Sequence, residues 1–403
     1  MELFGVIMAG GSGTRFWPYS RKNRPKQLLK IFSDVPMIQE TVERLAPLIP
    51  QEKIYISTNQ HLAQLMQEQL KDVQYVIEPV ARNTAACIGL SAITIMEENP
   101  DAIMFIETAD HVYKDESAYL DTVRKAVIAA RKDKIVLIGI EPTNPHTDLG
   151  YIKAGEAFSD DVPSTHLIES FKEKPDLKTA KKFLEERGYF WNSGMFISKC
   201  SVMLEEIRLY LPQLYEGLQQ IRQSGFDSEI TKEVFEQFEN TSIDYGVMEK
   251  SRNTVVVTTD MAWDDVGDFS ALERSLPKDD RNNVSIGNYE GNAKGCILLS
   301  QTRKIVVNHV HDIVVADTPD VTLICTKQDI QKIKRAIEKV QEADLGAYFE
   351  DYVKKPSKNI ISHHADTCEV ETDGLMVLIG VENLEIHRNN TTLNIEGSED
   401  VDI

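Results

Sequence analysis

The N-terminal stretch reads Leu3-Phe4-Gly5-Val6-Ile7-Met8-Ala9-Gly10-Gly11-Ser12-Gly13-Thr14-Arg15-Phe16-Trp17-Pro18, and Arg24-Pro25-Lys26-Gln27 follows closely. An apolar run that meets glycines at once reads as a buried strand entering a tight turn. Glycines there let the backbone turn sharply and aim N–H groups at a phosphate. The loop is not G-x-G-x-x-G, because Arg15 and its neighbours take the place of the third glycine, and no Gly-Lys-Ser/Thr follows for a Walker loop. A nicotinamide-binding oxidoreductase, the competitor at the level of fold, is set aside on that arginine. What the loop adds is charge. Arg15, Arg21, Lys22, Arg24, Lys26 and Lys30 all fall within residues 15–30, and no acid lies between Glu2 and Asp34. Arginine grips phosphate oxygens bidentately, and lysine serves as a mobile point charge.

Outward from this strand, short apolar runs at 53–58, 74–77, 102–108 and 134–139 read as strands, and 36–46, 60–70 and 84–98 read as helices. Such alternation over residues 1–277 predicts βαβ units, and so an α/β domain with a doubly wound, mostly parallel sheet of Rossmann-like type. Asp115 is the expected cap of a helix with Tyr119, Val123 and Val127 on one face. Asp176 is expected to cap another, with Ala180, Phe183 and Leu184 inward and Gly188 at its end.

The character changes near Pro277. Lys278-Asp279-Asp280-Arg281-Asn282-Asn283 is a polar bridge, and 296–300, 304–308, 312–316 and 321–325 then read as short strands. A helix is predicted over 329–343, capped by Asp329, with Ile330, Ile333, Ile337 and Val340 on its inner face; 375–381 and 384–387 return to strand. Residues 312–317 and 382–387 look like repeated units. Short strands with polar corners predict a smaller β-rich domain over 278–403, either a solenoid of left-handed β-helix type or a small β-sandwich. A solenoid edge favours self-association, so a homodimer is the assembly to look for. Residues 396–403 are mostly acids and are expected to fray.

Composition narrows the class. The 403 residues hold 44 Lys and Arg against 64 Asp and Glu, a formal net charge of −20. That balance argues against nonspecific binding to nucleic acid or an anionic membrane. Any phosphate substrate must therefore be met by local positive charge. A hydrophobic content of 42% suits a large core and excludes a disordered chain. The five cysteines are scattered and odd in number, with no C-x-x-C pair, which suggests neither a zinc site nor a disulfide framework. No basic leader precedes the first apolar run, and no apolar stretch approaches the ~20 residues of a membrane span. A cytoplasmic protein is expected, with reduced thiols.

The glycine loop resembles the signature G-x-G-T-R…P-K of sugar-1-phosphate nucleotidyltransferases. Trp17-Pro18 and Lys26-Gln27 resemble the mannose-1-phosphate guanylyltransferase branch in particular. Further blocks agree in order over residues 1–340: Glu78-Pro79 with Arg82-Asn83-Thr84-Ala85, Ala109-Asp110-His111, Gly150-Tyr151, Glu173-Lys174-Pro175, and Trp191-Asn192-Ser193-Gly194-Met195-Phe196. Ser242-Ile243-Asp244-Tyr245-Gly246-Val247-Met248-Glu249 and Trp263-Asp264-Asp265-Val266-Gly267 complete the series. The resemblance implies an enzyme that forms GDP-mannose and pyrophosphate from mannose 1-phosphate and GTP with Mg²⁺.

It also implies roles. Gly10, Gly11, Gly13 and Thr14 wrap the nucleotide phosphates, and Arg15 and Lys26 are catalytic cations. Asp110 and Asp265 are metal ligands, and Asp110 also belongs to the nucleotide site. Glu78, Arg82, Asn83 and Thr84 lie by the guanine. Gly150, Glu173 and Asn192 take the sugar, and Lys174 takes its phosphate. Read alone, Glu173-Lys174-Pro175 is a surface turn, Asp110 is turn or cap chemistry at a strand end, and Trp191 and Phe196 are core packing. His111 is as well explained by structure as by orienting the metal loop. Asp264 should point away from its neighbour Asp265 in extended backbone.

Two departures stand out. Thr108, after Glu107, replaces the family's usual proline, and Glu107 adds an acid near the proposed metal. Longer relatives carry a cupin-type phosphomannose isomerase domain. The tail here is too short for one, and His363-His364 lacks the ligand pattern, so bifunctionality is not expected. The alternatives are a relative with another base or hexose and a catalytically silent, ligand-sensing regulatory homologue.

Overall fold

In the computed structural model, the described residues are 1–11, 13–342, 345–353, 358–363 and 368–397. Ser12 of the glycine loop, the expected helix end at 343, His364 and the acidic tail from 398 lie outside them. Packing divides the chain into two units, Met1–Gly10 with Ile38–Trp263, and Gly11–Met37 with Asp264–Ile403.

The first unit is built on nine strands: β1 (Leu3–Met8), β2 (Ile54–Thr58), β3 (Gln74–Ile77), β4 (Ile103–Thr108), β5 (Ile135–Ile140), β6 (Tyr151–Ala157), β7 (Thr165–Lys172), β8 (Tyr189–Lys199) and β9 (Thr254–Thr259). Their order in the sheet is β3-β2-β1-β4-β8-β5-β9-β7-β6. β1 runs parallel to β2 and β4, β2 to β3, and β5 to β9. β8 is antiparallel between β4 and β5, and β7 is antiparallel to β9 and β6. The parallel strands read as unbroken apolar runs because both faces are covered. The helix Asn83–Glu98 is apolar nearly all round for the same reason, with Ala86, Ile88, Leu90, Ile93 and Ile95 in the core.

The register positions chemistry. Met8 stands opposite Thr108, and the Ala109 N–H donates to the Met8 carbonyl at 3.1 Å, so Gly10 and Asp110 leave one edge of the sheet. That edge, at the carboxyl ends of parallel strands, is where open α/β sheets take ligands. β8 enters from the other direction, so its first residues reach the same end of its neighbour: Asn192 pairs with Gly139, next to the last residue of β5.

The second unit joins the N-terminal segment to two sheets of short strands. One takes Val284–Ile286, Ile297–Ser300 and Ile313–Asp317 in parallel, and the other takes Tyr289–Gly291 and Lys304–Asn308 in parallel. These five successive strands alternate between the sheets as a coil does, while Ile313–Asp317 with Val321–Thr326, and Leu384–Arg388 with Thr392–Gly397, are antiparallel hairpin pairs, each within one sheet. Leu298, Ile305, Val307, Val315, Met376, Leu378, Ile386 and Ile395 fill its core.

Two caps are as expected, and three local expectations are corrected. Asp115 accepts from the Ala118 N–H, and Asp176 from that of Thr179. The helix Leu177–Glu185 ends with Glu186 as its C-cap, so Gly188 stands beyond it. Leu184 is exposed, because only Ala180 and Phe183 of Leu177–Glu185 face inward. Asp329 is not a cap: it lies inside a 3-10 turn, Lys327–Lys332, and pairs with Lys332 at 2.7 Å, and the α-helix begins at Ile333. Ile330, Ile333, Ile337 and Val340 are buried as the spacing requires. The cysteines are free thiols. Among the described residues, no helix is long and apolar enough to cross a membrane.

Candidate active site

Three groups of implicated residues lie in the first unit. At the end of β4, Asp110 is partly buried and His111 is buried. The His111 ring accepts from the Trp263 indole N–H at 3.2 Å, an edge-on contact that fixes the loop after Asp110. Glu107, three residues before Asp110, is a paired acid. Its carboxylate is fully buried, paired with Arg44 at 3.0 Å and bonded by the Tyr119 hydroxyl at 2.6 Å. Burial raises its pKa while Arg44 and Tyr119 pull it down. Arg44 also donates to the His111 carbonyl at 3.4 Å, so the buried pair stays linked to this loop.

The second group surrounds Gly150. The Asn192 N–H donates to the Gly150 carbonyl at 2.8 Å, and Tyr151 pairs with both Lys172 and Trp191, which brings Glu173 and Asn192 beside Gly150. A side chain on Gly150 would overlap Oε2 of Glu173 and crowd Asn192. That oxygen is buried and has no hydrogen-bond partner among the described residues. Burial first, then Asp244, raises the Glu173 pKa to about 7, while Lys174 opposes the rise. Lys174 has φ +44°, a left-handed backbone that a lysine adopts only under constraint, and its Nζ lies 3.8 Å from Glu173. Trp191 and Phe196 are buried packing residues, as read from sequence.

The third group opens the helix Asn83–Glu98. Its side chains are largely engaged within the chain. Arg82 Nε donates to the Phe235 carbonyl at 3.0 Å, and its guanidinium also meets the Glu236 carbonyl. Thr84 Oγ1 accepts from the Ile243 N–H at 2.8 Å. Asn83, at φ +65°, accepts from the Thr84 N–H. Glu78 is buried, with the Ser57 hydroxyl donating to it at 3.2 Å, and burial raises its pKa.

In the second unit, the glycine loop folds onto Lys26. Gly13 has φ +59°, and a Cβ there would overlap that of Lys26, so this position requires glycine twice over. Lys26 is buried, lies 5.6 Å from the Phe16 ring, and donates to the Asp265 carbonyl at 3.4 Å. Thr14 and Arg15 are exposed on the single turn Thr14–Phe16, and Gly11 is exposed. The point where a Gly267 Cβ would stand is 3.2 Å from Asp265 Oδ2 and 3.8 Å from an Arg15 nitrogen. Asp264 is spoken for: Arg274 holds its carboxylate, and the Val266 N–H donates to it at 2.8 Å. Val266, at φ +46°, is a β-branched residue in a conformation that few adopt. Arg274 also lies 3.9 Å from Asp265, so one guanidinium reaches both carboxylates and holds that of Asp264 more tightly.

The basic window is not one phosphate-facing patch. Arg21 is fully buried against Asp320 at 3.0 Å, Lys22 pairs with Glu350 at 3.0 Å, and Arg24 pairs with Asp351 at 3.1 Å. The Trp17 indole N–H donates to the Tyr348 carbonyl at 3.1 Å, and its ring stacks on Phe349. Half of the window thus anchors the loop to residues 318–352. Sequence reading missed Asp320, Arg274, Asp244 and Glu249. Asp244 and Glu249 stood inside a quoted block, but nothing in the sequence told what they touch.

Residues 4–282 match the family described as nucleotidyl transferase, and residues 290–340 match the MannoseP isomerase/GMP-like beta-helix domain. The chain is 35% identical over 356 residues to a mannose-1-phosphate guanylyltransferase of Klebsiella pneumoniae, covering 86% of this chain and 75% of that one. It is 34% identical over 377 residues to a mannose-1-phosphate guanylyltransferase of Salmonella muenchen, covering 91% and 76%. A crystal structure described as mannose-1-phosphate geranyltransferase from Thermus thermophilus is similar at a TM-score of 0.79 and 31% identity, covering 85% of this chain and all of that one. With this identity over most of its length, the chain belongs to the nucleotidyl transferase family, in its mannose-1-phosphate guanylyltransferase branch.

Proposed function

We propose that this enzyme forms GDP-mannose and pyrophosphate from mannose 1-phosphate and GTP. The observation that carries the reading is the cluster of Gly150, Glu173 and Asn192. A buried carboxylate oxygen without a partner among the described residues suits a sugar hydroxyl, and Lys174 stands beside it for the sugar's phosphate. A phosphate oxygen of the sugar attacks the α-phosphorus of GTP in line. The bond to the β-phosphate breaks, and pyrophosphate leaves with the electron pair. The nucleophile is already ionised, so the chain supplies no base. Its work is positioning and charge neutralisation.

In this reading Gly10, Gly11, Gly13 and Thr14 hold the nucleotide phosphates, and Arg15 and Lys26 neutralise the departing pyrophosphate. Glu78, Arg82, Asn83 and Thr84 border the guanine. Arg82 and Thr84 act there through their main chain, because their side chains are engaged elsewhere. A divalent cation is usual in the family, and we take it as Mg²⁺ with Asp110 and Asp265 as its carboxylates. Both are hard oxygen donors; the Asp265 side chain is 25% exposed and lies 3.9 Å from Arg274, which bonds Asp264 directly. When bound, the cation offsets phosphate charge. A homodimer and a cytoplasmic location complete the proposal.

The reverse reaction tests it. GDP-mannose and pyrophosphate with Mg²⁺ should return GTP and mannose 1-phosphate; no return with active-site occupancy confirmed would overturn the assignment. Gly150→Ala should lower kcat/KM for mannose 1-phosphate by about 10²-fold, since the new methyl displaces the Glu173 carboxylate. GTP affinity, measured by calorimetry, should stay unchanged.

A further inference from the structure

We propose that Asp244 is a positioning residue of the hexose-phosphate subsite: it locks the Asn192 amide and, together with Glu249, holds Glu173 against the sugar. This rests on the proposed function and extends it to residues that no sequence motif assigned a role.

Asp244–Met248 is a π-helical turn, a form that costs hydrogen-bond geometry and tends to occur at functional sites. The turn sets two acids in place. Asp244 Oδ1 accepts from Asn192 Nδ2 at 2.8 Å, and Glu249 Oε1 accepts from the Glu173 N–H at 2.9 Å. Because Asp244 Oδ1 accepts this bond, the nitrogen end of the amide faces it, and burial raises the pKa of the Asp244 carboxyl. Asn192 Oδ1 then meets the Gly194 N–H at 3.3 Å. One N–H of Nδ2 and a lone pair of Oδ1 remain as recognition capacity for a ligand.

Charge adds a second consequence. Glu173 is faced by Asp244 and Glu249, which favour its protonated form, and by Lys174, which favours the ionised one. Lys172 lies 3.7 Å from Glu249, and Tyr245 also faces the three acids. An ionised Glu173 accepts from a sugar hydroxyl, so sugar affinity gains strength as pH rises through its pKa of about 7. Removing the charge of Asp244 lets Glu173 ionise at lower pH.

The test is calorimetric binding of mannose 1-phosphate by the full chain with Asp244→Asn, followed from pH 5.5 to 8.5. Affinity should fall about tenfold at pH 8 through loss of the amide lock. The acidic limb of the binding profile should move to lower pH than in the unsubstituted chain. Glu249→Gln removes another facing charge while keeping an acceptor for the Glu173 N–H, and it should shift the limb in the same direction even if Asp244→Asn folds poorly. Unchanged affinity and an unmoved limb in both folded variants would overturn the inference. Failure of the unsubstituted chain to bind mannose 1-phosphate would instead strike the proposed function.

Discussion

Lys26→Met lowers pyrophosphate release by about 10²–10³-fold and leaves the fold intact. The magnitude is that of removing one preorganised group that meets charge developing in a transition state. Lys26 is preorganised in this sense. Its chain is buried, its stem is packed under Gly13 and beside Phe16, and its ammonium is led to the Asp265 carbonyl. Methionine keeps the stem and loses only the charge. The loss should fall on kcat more than on GTP affinity, because the departing pyrophosphate gathers charge that bound GTP has not yet concentrated. Asp265→Asn should show a comparable loss, also with the fold preserved. A near-normal rate in either variant removes that residue from the mechanism.

Asp320→Ala destabilises the second unit by roughly 3–5 kcal/mol and impairs catalysis through the loop that it anchors. The Arg21–Asp320 pair is wholly buried, with both side chains at 0% exposure. Asp320 also accepts from the Val353 N–H at 2.8 Å and the Thr318 hydroxyl at 3.0 Å. Alanine leaves a buried guanidinium without its counter-charge, and that is the costly half of breaking an ion pair. The exposed pairs Lys22–Glu350 and Arg24–Asp351 contribute little by comparison. Glu350→Ala is therefore the control: its thermal midpoint should stay near that of the unsubstituted chain, while that of Asp320→Ala drops by several degrees. Equal midpoints for the two would show that the buried pair does not hold the loop.

These two expectations mark what was legible in the sequence. The glycine turn after β1 could be read because an apolar run and a positive-φ requirement are both local. So could Lys26, which the Pro-Lys-Gln block singles out. The fate of Arg21 could not be read, since Asp320 lies 299 residues away and no periodicity connects them. Counting six cations in one window measured charge and not direction, and three of the six turn toward acids at 320, 350 and 351. Strands β1 to β5, before residue 141, were likewise legible as short apolar runs, but β6, β7, β8 and β9 were not read, and no strand's direction was. The antiparallel entry of β8 is what brings Asn192 to the ligand edge. Alternation is a local rule and applied to the Asp264–Asp265 pair, but it did not show that Arg274 reaches both. The partner of Glu107 could not be read, because Arg44 lies 63 residues away in the chain. Asp329 looked like a cap because acid before an apolar stripe is a helix signal, but the 3-10 turn at Lys327–Lys332 delays the helix past it.

The central claim concerns which substrates meet at this site. Pyrophosphate release by the purified chain with Mg²⁺, measured across GTP, ATP, UTP and dTTP with mannose 1-phosphate and with glucose 1-phosphate, tests it most directly. The account predicts the highest kcat/KM for GTP with mannose 1-phosphate, abolished by EDTA. No release from that pair, under conditions where another pair is turned over, would contradict it.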